Sequence, residues 1–219
     1  MFRNELKAWR SVSNTYSLIS ADVPTLQLAI YLDSSGLNSS QALVLSDQHG
    51  RRSRVTSKAQ TQVVLERWTL QLQPGDSRTQ PPDLPTVYRL SILFFRTLYT
   101  LVRTMPSWSL HKRLIRKGSP LQIGVKLGTN RDTSKELDVG VRIAEQEDVT
   151  AETTKFPTIL TPQGILALQC TYRLNTEFSI EDVEALLSSR FINEDYFRPT
   201  IARYHAEEAQ TRVTRLVWL

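Results

Sequence analysis

A single cysteine in 219 residues, Cys170, leaves nothing for an internal disulfide to join and excludes a disulfide-stapled secreted scaffold. It fits a reducing compartment. Inside the strand-like run Leu166 to Tyr172 it reads as a small core residue, not a nucleophile. Glycine is scarce, at eight residues, and no phosphate-cradling glycine loop occurs. The three histidines, His49, His111 and His205, lie far apart, none with metal-ligand spacing. The chain therefore reads as non-catalytic, with neither metal nor cofactor. Long apolar runs are missing too. The longest, Leu90 to Val102, is too short to span a bilayer and carries Arg96 in its middle. Met1 to Ser20 bears Arg3, Lys7 and Arg10 with no uninterrupted apolar stretch behind them, so no signal peptide is expected. Acidic residues vanish between Leu84 and Arg131, where nine Lys or Arg residues fall. That is a real local field rather than an average.

What is present suits one large folded domain. Hydrophobic residues make up 40% of the chain, with four Trp, seven Tyr and seven Phe to supply a core. The formal charge is +5, and twenty Arg stand against seven Lys. Arginine's planar fork grips phosphate and carboxylate, so the bias points to acidic or phosphorylated partners, or else to the base composition of the genome.

Periodicity orders the elements. Met1 to Ser20 holds one short helix with Leu6 and Trp9 on one side. Leu26 to Asp33 and Ala42 to Leu45 read as strands. Asp47-Gln48-His49-Gly50 is a turn into a basic edge at Arg51, Arg52 and Arg54, and Val63 to Leu72 is a further strand before a proline-rich loop. Thr86 to Thr104 is the one strong helix, apolar on most of its circumference, so burial on several sides is expected. Arg89, Arg96 and Arg103 form one narrow stripe on it, and a buried Arg96 would pair with an internal acid or a backbone carbonyl. Pro106 stops this helix, and Trp108 to Lys117 supplies a short basic one. Leu121 to Leu127, Val139 to Ile143 and Ile165 to Leu174 alternate as strands, and Ser179 to Ser189 opens like a helix. The layout is α+β, an antiparallel sheet packed on a buried central helix.

Several segments carry a resemblance: Tyr31-Leu32-Asp33, Val64-Leu65-Glu66-Arg67-Trp68, Tyr88 to Pro106, Thr161-Pro162-Gln163-Gly164 running into Cys170-Thr171-Tyr172-Arg173-Leu174-Asn175, and Asp195-Tyr196-Phe197-Arg198-Pro199. Together they resemble the HORMA domain of autophagy-related protein 13, in its fungal form. The resemblance implies a HORMA domain over residues 1–200, with a C-terminal "safety belt" segment and an unassigned tail at 201–219. It implies a cytoplasmic adaptor of the autophagy-initiating kinase complex, acting at the preautophagosomal structure. Its expected partners are autophagy-related protein 101, as a HORMA heterodimer, and autophagy-related protein 9. Two family features find no match here: a first helix of aromatic and aliphatic residues, and the long Ser-rich tail that carries kinase and scaffold binding. Loss of that first helix would leave a groove beside the central helix uncovered.

Two groups of residues are candidates for binding. By resemblance, Arg67 and Arg142 converge on one tetrahedral anion as a phosphate sensor. Otherwise Arg67 is a solvated strand residue paired with Glu66 or another carboxylate. Lys112, Arg113, Arg116 and Lys117 form a basic patch that meets an acidic partner loop or anionic lipid, or is simply a solvated helix face. The alternative function is therefore a peripheral binder of anionic membrane or nucleic acid through residues 84–131.

Overall fold

The computed structural model describes residues 6–11, 23–55, 61–74, 82–129, 138–144 and 151–191. The Asp195–Pro199 motif, the tail at 201–219 and His205 lie outside the described residues. The chain divides into two compact units, residues 1–38 with 43–179 and residues 39–42 with 180–219.

The larger unit is built on an antiparallel sheet. Its strands are β1 (Leu26–Asp33), β4 (Gln62–Gln73), β5 (Gln122–Thr129), β6 (Ala151–Lys155), β7 (Ile159–Thr161) and β8 (Gly164–Arg173), in the order β5-β1-β4-β8-β6, with β7 also paired to β8. A three-stranded sheet runs β3-β2-β9, from β2 (Gln41–Ser46), β3 (Arg52–Arg54) and β9 (Phe178–Asp182). Helix α1 (Lys7–Ser11) is tied down by Trp9 Nε1, which donates to the Pro24 carbonyl at 3.0 Å. In the smaller unit β9 passes into helix α4 (Val183–Phe191), where the Val183 N–H donates to the Ser40 carbonyl.

The β7–β8 turn requires its glycine. Gly164 sits at φ 138°, and a Cβ there would collide with the Gln73 carbonyl. The Thr161 hydroxyl donates to the Gly164 carbonyl and holds the turn closed.

Helix α2 (Leu84–Thr104) begins with Pro85 in its first turn, where a missing N–H costs nothing. It ends at Met105, which Pro106 holds extended (ψ 144°), and the chain turns straight into α3 (Pro106–Lys117). Gly118, left-handed at φ 58°, terminates α3. The main core lies between the sheet and α2: Trp68, Leu168 and Cys170 from the strands, Phe156 and Ile159 beside them, and Phe94 and Met105 from the helical side. Phe156 links the two layers, with ring centroids 6.0 Å from Trp68 and 5.7 Å from Phe94.

Four sequence expectations need correction. The helix expected at Thr86 to Thr104 is present, but it is not enclosed. Val87, Phe94, Leu98 and Leu101 make one inward face, and Phe94 is its buried residue. Tyr88, Leu93, Phe95 and Tyr99 are each 60% exposed or more. A helix apolar on most of its circumference needs a second layer to bury the far side, and among the described residues only the sheet side is supplied. Arg96 accordingly lies exposed, with no buried charge to compensate. Val139 to Ile143 forms no strand. Arg173 on β8 draws its carbonyls away from any ladder: Arg173 Nη2 donates to Val139 O at 2.9 Å and Val141 O at 2.7 Å. Ser179 to Ser189 starts as strand, because Phe178 is buried and β9 pairs with β2, and only Val183 onward is helical. Strands β6 and β7 had no sequence expectation at all.

Candidate functional site

Adjacent residues of a strand point to opposite faces, and that decides the Glu66–Arg67–Trp68 motif. Trp68 enters the core beneath α2, so Glu66 turns to the same side and Arg67 to the other. Glu66 is buried at 1% exposure and cannot partner Arg67. Instead it accepts a hydrogen bond from Trp68 Nε1 at 2.9 Å and others from the hydroxyl and backbone N–H of Ser107. Ser107 stands in the first turn of α3, whose N–H groups lack partners within the helix, so a carboxylate is well placed there. The Glu66 carboxylate thus bolts the α2–α3 elbow to β4. Burial pushes its pKa above the ordinary value, against the pull of the Ser107 and Trp68 donors. Beside it, Cys170 is fully buried, and desolvation followed by the Glu66 charge raises its thiol pKa. That suits a packing role.

Arg67 is half-buried on the face of the sheet away from α2, in register with Ala29 on β1 and Thr171 on β8. Arg173, two residues beyond Thr171, shares that face and is buried at 2%. Through its bonds to Val139 and Val141 it anchors the segment 138–144, in which Arg142 is exposed. Arg142 is therefore held on a segment tied to the sheet face that carries Arg67. Among the described residues no hydrogen bond or ion pair joins Arg67 to Arg142. Arg173 was missed as a structural residue because a buried arginine looks like a solvated one in sequence; its place on the alternating strand β8 was the available signal.

The basic patch splits. Arg113 serves as a fastener, its guanidinium donating to Glu177 Oε1 and to the Thr176 carbonyl, both at 2.6 Å, and so tying α3 to the end of β8. Lys112 is exposed, with its ammonium 5.4 Å from the Trp108 ring centroid. Arg116 and Lys117 are exposed in the last turn of α3, where the helix dipole favours cations.

The outer side of α2 was not singled out as a site by sequence. Tyr88, Ser91, Ile92, Phe95, Arg96 and Tyr99 line an open recess of about 480 Å³. Seven-residue spacing sets Arg89, Arg96 and Arg103 in a row beside these aromatics. The Arg103 guanidinium carbon lies 4.7 Å from the Tyr99 ring centroid, and Arg89 donates to the Thr86 hydroxyl. Among the described residues no group of three or more His, Cys, Asp or Glu is gathered to hold a metal ion. No described helix is long and apolar enough to cross a membrane.

Comparison with known proteins agrees with this architecture. The family model described as autophagy-related protein 13 matches residues 1–178. The autophagy-related protein 13 of Yarrowia lipolytica is 34% identical over 216 residues, 91% of this chain and 30% of that protein. That of Penicillium rubens is 32% identical over 92% of this chain and 23% of its own length. The chain thus spans less than a third of these curated relatives. Among solved structures, an Atg13 HORMA domain superposes with a TM-score of 0.59 at 28% identity, covering 81% of this chain and 86% of that one. With the buried Glu66–Trp68 motif, the α2–α3 elbow and the sheet all in place, the chain belongs to the autophagy-related protein 13 family and carries its HORMA fold.

Proposed function

We propose that this domain is a non-catalytic adaptor of the autophagy-initiation kinase complex, one that recruits partner proteins through its HORMA surface. The observation that carries this reading is the match of the whole α+β layout to a HORMA domain of the same family. In this reading the partners are autophagy-related protein 101, as a HORMA heterodimer, and autophagy-related protein 9. Kinase and scaffold binding belong to the Ser-rich tail of the family and are not assigned to this chain. The site of action is cytoplasmic, at the preautophagosomal structure. Pull-down of the purified domain against both proteins tests the reading. Retention of either at micromolar concentration supports it, and retention of neither counts against it.

Arg67 and Arg142 form the proposed anion site. Arg173 supports this, because it fastens the Arg142 segment to the sheet face that carries Arg67. Two guanidinium groups on one tetrahedral anion supply several charge-assisted hydrogen bonds. Calorimetric titration with inorganic phosphate and with a phosphoserine peptide should show binding to wild type. That binding should vanish in Arg67→Ala/Arg142→Ala without loss of folding; equal binding by the two proteins overturns the site.

A further inference from the structure

We infer that the outer side of α2 is a docking surface for an amphipathic helix of acidic character, supplied by another polypeptide. This deepens the adaptor reading, on which it rests for the expectation that partners exist, by naming a surface and the chemistry it takes.

Three observations converge on that occupant. The first is the apolar exposure. Tyr88, Phe95 and Tyr99 fall on one side of the helix, roughly a quarter to a third of a turn away from the buried Phe94, and each is at least 60% exposed. A contiguous exposed patch of aromatics marks a contact surface rather than ordinary solvent-facing scatter. The second is the shape. The recess of about 480 Å³ has Ser91, a small residue, among the larger Tyr88, Ile92, Phe95 and Tyr99. Residues three and four apart on one helix leave a hole of the kind that a side chain from a facing helix enters. The third is the charge. Arg89, Arg96 and Arg103 border the aromatics along the whole helix, and residues 84–131 contain no Asp or Glu to neutralise them. Flanking charge on a helical seam selects the sign of its partner, here glutamate and aspartate.

The same observations weigh against other occupants. A second copy of α2 would set one arginine row against another with no carboxylate between them. A lipid surface has use for the arginines and aromatics but none for a recess sized to a side chain.

The probe is a synthetic peptide of about 20 residues, long enough to hold helix in water, with leucines at helical spacing and glutamates along both flanks. A twin carries lysine in place of each glutamate. Fluorescence anisotropy should show the glutamate peptide binding wild type at least about tenfold tighter than its twin, with the gap narrowing as salt rises. Arg89→Glu/Arg96→Glu/Arg103→Glu should reverse that order, and Phe95→Ser should weaken both peptides by about tenfold or more. Far-UV circular dichroism of each variant checks that the helix persists. Equal affinity for the two peptides, a preference that survives the triple reversal, or indifference to Phe95→Ser overturns the inference. So does binding of phosphatidylserine vesicles, lost in the same variants, by a protein that ignores both peptides. A homodimer in sedimentation that Phe95→Ser dissolves overturns it as well. If autophagy-related protein 101 or 9 is retained equally by wild type and by both variants while neither peptide binds, the adaptor reading stands and the α2 surface falls.

Discussion

Phe94 and Phe95 are neighbours in sequence and near-opposites in energy, which makes them the sharpest test of how α2 sits. Phe94 is 5% exposed and its ring packs against Phe156, whereas Phe95 is 60% exposed. Burying an aromatic side chain removes on the order of 150–250 Å² from water. At about 25 cal/mol per Å² that is worth about 4–6 kcal/mol. Alanine keeps part of that and leaves a cavity, and truncations of buried Phe cost about 3–5 kcal/mol. Phe94→Ala should therefore lose about 3–5 kcal/mol, a large share of the roughly 5–15 kcal/mol typical of a domain. In a chain of this size the melting temperature should fall by roughly 6–20 °C. Phe95→Ala should stay within about 0.5 kcal/mol of wild type. Urea titrations followed by far-UV circular dichroism measure both, with the slopes compared to confirm that the unfolded state is unchanged. Equal losses in the two variants would refute the reasoning, since they would mean that a second layer covers the far side of the helix.

Three further outcomes are expected. Burial raises the Glu66 pKa above its ordinary 4.5, so the folded chain binds that proton more tightly than the unfolded one and stability drains away as pH climbs from 4.5 through the folded value. Glu66→Gln has no such proton, so it should gain on wild type between pH 4.5 and about 7.5; a gap that does not change with pH in paired urea titrations contradicts this. Arg173→Met strips the donors from the Val139 and Val141 carbonyls, at about 1.5–3 kcal/mol per charge-assisted bond, and hydrogen exchange should rise in residues 138–144; unaltered protection there means that another group holds the segment. Cys170, buried with its thiol pKa raised, should resist iodoacetamide in the folded chain and react once urea unfolds it; rapid labelling of the native protein contradicts its packing role.

Much of the fold is legible because short-range chemistry dictates it. Strand β1 follows from Leu26, Leu28, Ile30 and Leu32 at alternate positions, and the α2–α3 elbow follows from Pro106. The turn before β8 is readable from Thr161-Pro162-Gln163-Gly164, whose glycine alone fits the backbone there. Less of the site is legible. The candidate set included Arg113, but nothing local distinguishes it from Lys112 and Arg116. Only the folded chain brings Glu177 and the Thr176 carbonyl to it across more than sixty residues. Glu66 was readable only as a possible mate for Arg67, because sequence adjacency hides the fact that strand neighbours face apart. Strands β6 and β7 escaped notice because Ala151–Lys155 has no apolar alternation, and its edge position is held by pairing with β8.

The sequence by itself determined the class of the protein, its antiparallel strands, the existence and limits of the long helix, and the acid-free character of residues 84–131. Those properties depend on periodicity, turn residues and charge, which a chain carries wherever it goes. Only the tertiary structure decided which side of α2 is covered, that Glu66 bolts the elbow, and that Arg173 and Arg113 are fasteners. Burial and pairing belong to neighbours distant in the chain, and an apolar or charged residue reads the same in sequence whether a second layer meets it or water does.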